Sequence, residues 1–186
     1  MSVSIKELFE IRRLGHSIKH VKVVFKSSIS NIKLGSFELD NAIEGSTMSV
    51  PLWVANILEK HGFVEVQEER FDEDFFRSVA KEKLLKDSVN LSQLPDDFYV
   101  HLVDYVNKKV TDSSGILVGN DLIKIRNDAL DLVSIRLRKL LHYSRAYFDS
   151  SEIMPKLTLE ERILLQMLQK NVRDFSSSIF EEGVQP

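Results

Sequence analysis

The hydrophobic positions change period once along the chain. Up to about residue 69 they come in short alternating or β-branched runs; from Phe71 onward they recur every three to four residues. In the first part, "SIKELFEIRR" (4–13) predicts a short helix with Ser4 as its cap, Ile5, Leu8, Phe9 and Arg12 on one face, and Gly15 as its stop. "HVKVVFK" (20–26), "NIKLGSFEL" (31–39, one strand bent at Gly35), "TMSV" (47–50) and "FVEVQEE" (63–69) predict strands. Between the last two, "PLWVANIL" predicts a helix: Pro51 has the fixed φ of a first helical position, and Gly62 suits the residue past the end. Leu52, Trp53, Val54, Ala55, Ile57 and Leu58 make that helix apolar on most sides. It is therefore expected to be buried against the flanking strands, with Trp53, the only tryptophan, as a core packing residue.

The second part reads as helices only. "FDEDFFRSVAKEKLLKD" carries two stripes, Phe75 with Val79 and Phe76 with Ala80 and Leu84. The next helix is expected to start at Pro95, with Asp96 and Asp97 in its first turn and Phe98, Leu102, Tyr105 and Val106 as its stripe. "TDSSG" breaks the chain at 111–115. A long helix then runs from a cap at Asn120 or Asp121 to about Tyr147, roughly 40 Å at ~1.5 Å per residue. It has two stripes: Leu122, Ile125, Ala129 and Leu132, then Ile123, Leu130, Leu137 and Leu141. The last helix opens on a capping box, Thr158 and Glu161, and presents Leu164, Leu168, Val172 and Phe175 beside Ile163 and Met167. Four helices are too few to cover every stripe. One from each of the two long helices can be buried within the domain, which leaves Leu130, Leu137, Leu141, Leu164 and Leu168 as the expected contacts with another chain.

The fold class expected is α+β, predominantly α: a small β-rich domain at 1–69, a helical bundle-like domain at 70–178 and a flexible tail at 179–186. An acidic run from Glu65 to Asp74 marks the boundary. The net charge of −3 gives no global pull toward nucleic acid or membrane. There are no cysteines, the amino-terminal stretch lacks the apolar core of a signal peptide, and no apolar run approaches the ~20 residues that span a bilayer. The cytoplasm is the expected compartment.

Catalytic chemistry is not expected. No Gly-rich phosphate loop is present, "GILVGND" has no strand–loop–helix setting, and the five histidines are dispersed without acidic or thiol partners. No cofactor and no metal are expected. The charge pattern says more. Residues 11–37 contain Arg12, Arg13, Lys19, Lys22, Lys26 and Lys33 and no acid, which suits either a solvated face or a contact with DNA or an acidic partner. No aromatic ladder interleaves these lysines, against single-strand stacking. On the long helix Arg136 and Lys139 share one face and Arg138 and Arg145 another; part of this cluster is expected to pair with acids of a neighbouring helix.

The stretch "GSTMSVPLWVANIL" resembles the motif of GINS subunits, in which a glycine and a short strand precede a Pro-Leu-Trp-Leu-Ala-like helix start. Pro51, Leu52, Trp53 and Ala55 carry it. "LPDDFYVHLVDYV", "DLVSIRLRKLLHYSR" and "LTLEERILLQMLQKNVRDF" are similar to later helices of that family and occur in its order, so the resemblance spans roughly 40–178. It implies the archaeal class with the β domain first, whose partner is the helix-first class, two copies of each chain. It further implies a non-catalytic scaffold in DNA replication that links the MCM helicase to a RecJ/Cdc-type protein. Primase is a further expected partner, contact with DNA is weak or indirect, and the location is nucleoid-associated. The alternative is a small DNA-binding regulator using the basic patch of residues 11–37.

Overall fold

The computed structural model describes residues 4–67, 71–112, 119–145 and 150–180. The expected break at 111–115, the glycine-rich 115–121 stretch and the last residues of the predicted long helix lie wholly or partly outside them. The same holds for the end of the fourth predicted strand and for 181–186. The protein is α+β and predominantly helical, and it divides into two compact units, Met1–Arg70 and Phe71–Pro186.

In the first unit α1 (Ile5–Ser17) starts on a capping box: the Glu7 N–H donates to Ser4 Oγ at 3.2 Å, and the Ser4 N–H donates to the Glu7 carboxylate at 2.7 Å. The helix runs through Gly15 instead of ending there. A three-stranded antiparallel sheet has the order β4 (Thr47–Pro51), β1 (His20–Phe25), β5 (Val64–Val66). Val23 and Phe25 of the central strand point inward and are fully buried, while His20 and Lys22 face out, the period-2 consequence of the pleat. The single bent strand expected over 31–39 is a hairpin, β2 (Ile32–Leu34) and β3 (Phe37–Leu39). Gly35 has φ +60°, which a two-residue hairpin turn requires and a bent strand does not. The chain thereby reverses, setting Leu34 opposite Phe37 and Lys33 opposite Glu38, with which it is ion-paired.

Pro51 also departs from expectation. It is the last residue of β4, paired with His20, and precedes α2 (Leu52–Lys60) at φ −56°, ψ 143°. A proline fits there because its missing N–H lies at the end of an edge strand. The Leu52 N–H donates to the Lys19 carbonyl at 2.8 Å, tying the helix start to β1. α2 is not buried all round. Leu52, Val54, Ala55 and Leu58 are buried, while Asn56 and Ile57 face solvent. Trp53 sits at the rim, half-buried, with its ring edge-on to Phe37 (centroids 6.4 Å apart, planes at 80°). It is a packing residue, but the centre of the core is Val23, Phe25, Val50, Val54 and Ala55.

The second unit contains α3 (Phe71–Leu84), α4 (Phe98–Asp112), α5 (Gly119–Tyr143), two 3₁₀ turns (Ser150–Glu152 and Met154–Lys156) and α6 (Leu159–Phe180). α3 buries Phe75 and Val79; the second stripe, Phe76, Ala80 and Leu84, is exposed. α4 starts at Phe98, three residues later than expected, because Pro95 closes a turn: its carbonyl accepts from the Phe98 N–H at 3.1 Å. Asp121 lies inside the first turn of α5. α5 is central. Its Ile125 and Leu132 join a cluster with Phe75, Val79, Leu94, Phe98 and Leu102. Its Leu140 and Tyr143 join another with Leu91, Ile153, Leu157 and Leu165. Among the described residues no helix is long and apolar enough to cross a membrane.

The two classes of position in the first unit separate experimentally. Phe25→Ala empties a fully buried site and is expected to destabilise the unit by about 3–5 kcal/mol. Trp53→Ala removes a rim contact and is expected to cost roughly 1–2 kcal/mol, mostly the edge-to-face pair and partial burial. Hydrogen exchange of the β1 and β4 amides reads both; equal losses would place Trp53 in the core.

Candidate functional site

Between the two apolar clusters of the helical unit, on the inner face of α5, lies Arg136, a fully buried arginine one turn from Leu132 and one turn from Leu140. Its guanidinium makes five hydrogen bonds. Nε donates to Glu161 Oε1 (2.5 Å), Nη1 to Glu82 Oε2 (3.1 Å) and the Ser92 carbonyl (2.9 Å), and Nη2 to the Lys156 carbonyl (3.1 Å) and Glu161 Oε2 (2.7 Å). An arginine has five N–H donors, so the group is saturated. Lys139, one turn on, donates to Glu82 Oε1 (2.5 Å) and the Asn90 carbonyl (2.7 Å). Glu82 also accepts from the Ser92 N–H and hydroxyl. Glu161 closes the capping box of α6 by accepting from the Thr158 N–H at 3.0 Å, and it accepts from the Tyr99 hydroxyl at 2.7 Å. Two carboxylates and two cations thus balance inside the unit and connect α3, α4, α5 and α6.

The electrostatics follow. Burial acts to raise the Glu82 carboxyl, but the bonds from Lys139 and Ser92 and the Arg136 charge outweigh it and hold it below its ordinary value. Burial likewise opposes the charge on Arg136, and the Glu161 carboxylate more than offsets this, so the guanidinium stays charged. Tyr99 is pushed well up by burial and by the Glu161 charge. This constellation is saturated and closed to solvent. Its charged groups pair with one another and tie four helices together.

The opposite face of α5 differs. Ile123, Leu130, Leu137 and Leu141 lie there, 58, 57, 41 and 49 % exposed, with Val133 beside them. The other stripe, Leu122, Ile125, Ala129 and Leu132, is the one turned inward. Leu137 and Leu141 share this outer surface with Ser134, Arg138, His142 and Arg145. Arg138, donating to the Lys86 carbonyl at 2.8 Å, and the exposed Arg145 therefore frame an apolar stripe. On α6 the division is less clean. Leu164 packs against the buried Leu140–Leu165 cluster and belongs partly to its own unit, and Leu168 is half-buried. The outward apolar groups of α6 are Met167, Phe175 and Ile179. Phe175 thus faces solvent although its spacing puts it in the stripe of Leu164 and Leu168.

The basic residues near the amino terminus are spread over α1, β1 with the residues beside it, and the hairpin. Arg13, Lys19 and Lys22 are exposed and Arg12 is half-buried on α1. Lys26 pairs with Glu65 across the β1–β5 ladder at 3.1 Å, and Lys33 pairs with Glu38 across the hairpin. The acid-free run is acid-free only in sequence; strand pairing brings carboxylates to it. Buried Glu82 has no signal in the sequence, where only the apolar stripes of "FDEDFFRSVAKEKLLKD" stand out. Pro51, Leu52, Trp53 and Ala55 form the strand-to-helix joint of the first unit, two buried and two at its edge. Comparison of the chain with protein-family models and with curated proteins finds no match.

Glu82→Gln leaves Arg136 and Lys139 short of a charge and is expected to destabilise the helical unit by about 3–5 kcal/mol at neutral pH. The pH dependence has a definite sign. The Glu82 carboxyl is lower in the folded state than its ordinary 4.5, so its contribution is present above that value and lost as pH falls through the folded value. Acid titration of helical circular dichroism should therefore fall less steeply in Glu82→Gln than in the parent. Parallel acid limbs would show that Glu82 is not held ionised.

Proposed function

We propose that this chain is a non-catalytic assembly subunit of a GINS-type complex in DNA replication. It belongs on this reading to the class in which a small β unit precedes the helical one, with the helix-first class as its partner. Two copies of each chain make the complex, a scaffold between the MCM helicase and a RecJ/Cdc-type protein. The observation that carries the reading is the two-faced α5. Its inner face is a finished core with a saturated ionic centre, while its outer face leaves four large aliphatic side chains in solvent. A stable surface of that kind is what an obligate subunit contact needs. The Pro51–Ala55 joint and the order of the units support the family assignment. The charged groups at the centre of the helical core, Arg136, Lys139, Glu82 and Glu161, pair with one another across helices, in keeping with a scaffold.

The DNA-binding alternative has less support. Of the six basic side chains expected to form a patch, Lys26 and Lys33 are engaged with carboxylates, and such pairs reduce the counterion release on which phosphate binding depends.

Co-expression with a helix-first GINS subunit tests the proposal by mass. A two-plus-two species is expected. Leu137→Glu with Leu141→Glu should break it to smaller species, because two charges would enter a site that needs apolar partners. Both residues are exposed in the isolated chain, so helical circular dichroism should be unchanged. A wild-type chain that stays a well-behaved monomer and forms no such species would overturn the scaffold reading; steeply salt-dependent binding to duplex DNA would favour the regulator.

A further inference from the structure

The exposed positions of α5 fall into a repeat. Ile123, Leu130 and Leu137 recur every seven residues, and so do Asn127, Ser134 and Leu141; all six are exposed. Together they step by four and three along the helix, the spacing of a coiled-coil seam. A straight helix drifts by about 20° per heptad, so a seam of this period is followed by a second helix crossing at a shallow angle. From Ile123 to Leu141 the ridge is roughly 27 Å long at ~1.5 Å per residue.

The charges beside this ridge do not balance. Arg126, Arg138 and Arg145 are exposed, and none of the three meets a carboxylate among the described residues; Arg138 reaches only the Lys86 carbonyl. Asp131, which follows Leu130, is held by Lys83 at 2.9 Å. Lys124 lies beside Asp121 in the cleft that α5 forms with Asp72 of α3 and Lys109 of α4. Of the helices packed against α5, α3 ends with exposed Lys86 and Asp87, which cancel. α6 exposes Lys170, Arg173 and Asp174 just past Gln169, which donates to the Tyr143 carbonyl. α4 meets the inner side, at Ile125 and Leu132. The excess along the ridge is therefore cationic.

We infer that the outer face of α5 takes a helix of a different chain, one that carries carboxylates beside its own apolar ridge, opposite Arg126, Arg138 and Arg145. This rests on the reading above that the face is a subunit contact, and it names the chemistry of what is contacted. An arginine fork fits a carboxylate with two parallel bonds. A second copy fits less well: it offers the same three arginines and an Asp131 already in use, so like charge would lie beside like. DNA would use the arginines and leave Leu130, Leu137 and Leu141 without apolar partners. Asn127 and Ser134, polar places within the seam, would fix its register.

The test sets the full chain against a second version of itself. Arg126→Glu with Arg138→Glu and Arg145→Glu keeps the ridge and makes its flanks acidic, so this variant is a helix of the inferred kind. Sedimentation equilibrium at micromolar concentration and low salt is expected to show wild type and variant associating at least about tenfold more tightly with each other than either does with itself. Leu137→Glu in either chain should abolish the difference, and about 0.5 M salt should reduce it. Circular dichroism checks that the variant is folded. Equal association in the three samples overturns the inference. Wild type pairing with itself more tightly than with the variant also overturns it and assigns the face to a second copy. Duplex-DNA binding by the wild type that the reversal removes, with no preference in the mixture, overturns it as well. In the complex with a helix-first GINS subunit the same reversal should weaken assembly at least about tenfold, and Arg→Lys at the three sites should not. A complex indifferent to the reversal overturns this inference and leaves the assembly reading standing. Absence of that complex removes the GINS reading, and the mixture of the two chains then decides the charge rule alone.

Discussion

The saturated guanidinium of Arg136 is the constraint around which the helical unit is arranged. A buried arginine is tolerated only when its charge is balanced and its donors are used. Here that condition fixes several things at once. Glu82 sets the rotation of α3, Glu161 sets the start of α6, and the carbonyls of Ser92 and Lys156 fix the connections between helices. Apolar packing alone would allow α5 to slide by a turn, since Ile125, Leu132 and Leu140 recur at helical spacing. A charged network at one level does not slide. Its value is register more than stability, because an apolar substitute of similar volume is often no less stable.

Much of the architecture is legible in the residues, for identifiable reasons. Ser4 with Glu7 and Thr158 with Glu161 are local signals, read within four residues, and both caps occur where the sequence puts them. The separation of α5 into two stripes follows from periodicity alone. What is not legible depends on contacts distant in sequence. Nothing near Glu82 distinguishes it from the solvated acids around it; its environment is made by Lys139 and Arg136, more than fifty residues on. Lys26 and Lys33 read as free cations until strand pairing supplies Glu65 and Glu38. The hairpin at Gly35 was hidden because a glycine in an alternating run fits either a bend or a reversal, and only the pairing partner decides.

The candidate surface is the outer face of a helix whose inner face is anchored: α5 is held by Arg136 and the clusters on either side of it. Anchoring one face pre-organises the other, so a partner that binds there loses little conformational entropy in ordering it.

The joint at Pro51 has a bearing on how other chains can approach. β4 is an edge strand, and its last residue has no N–H to offer; β5, at the other edge, is three residues long. A sheet so trimmed gives an incoming strand little ladder to extend. On this three-stranded sheet main-chain pairing is thereby disfavoured, and a partner there would meet side chains, which discriminate by shape and charge and can be retuned one substitution at a time without rebuilding the sheet.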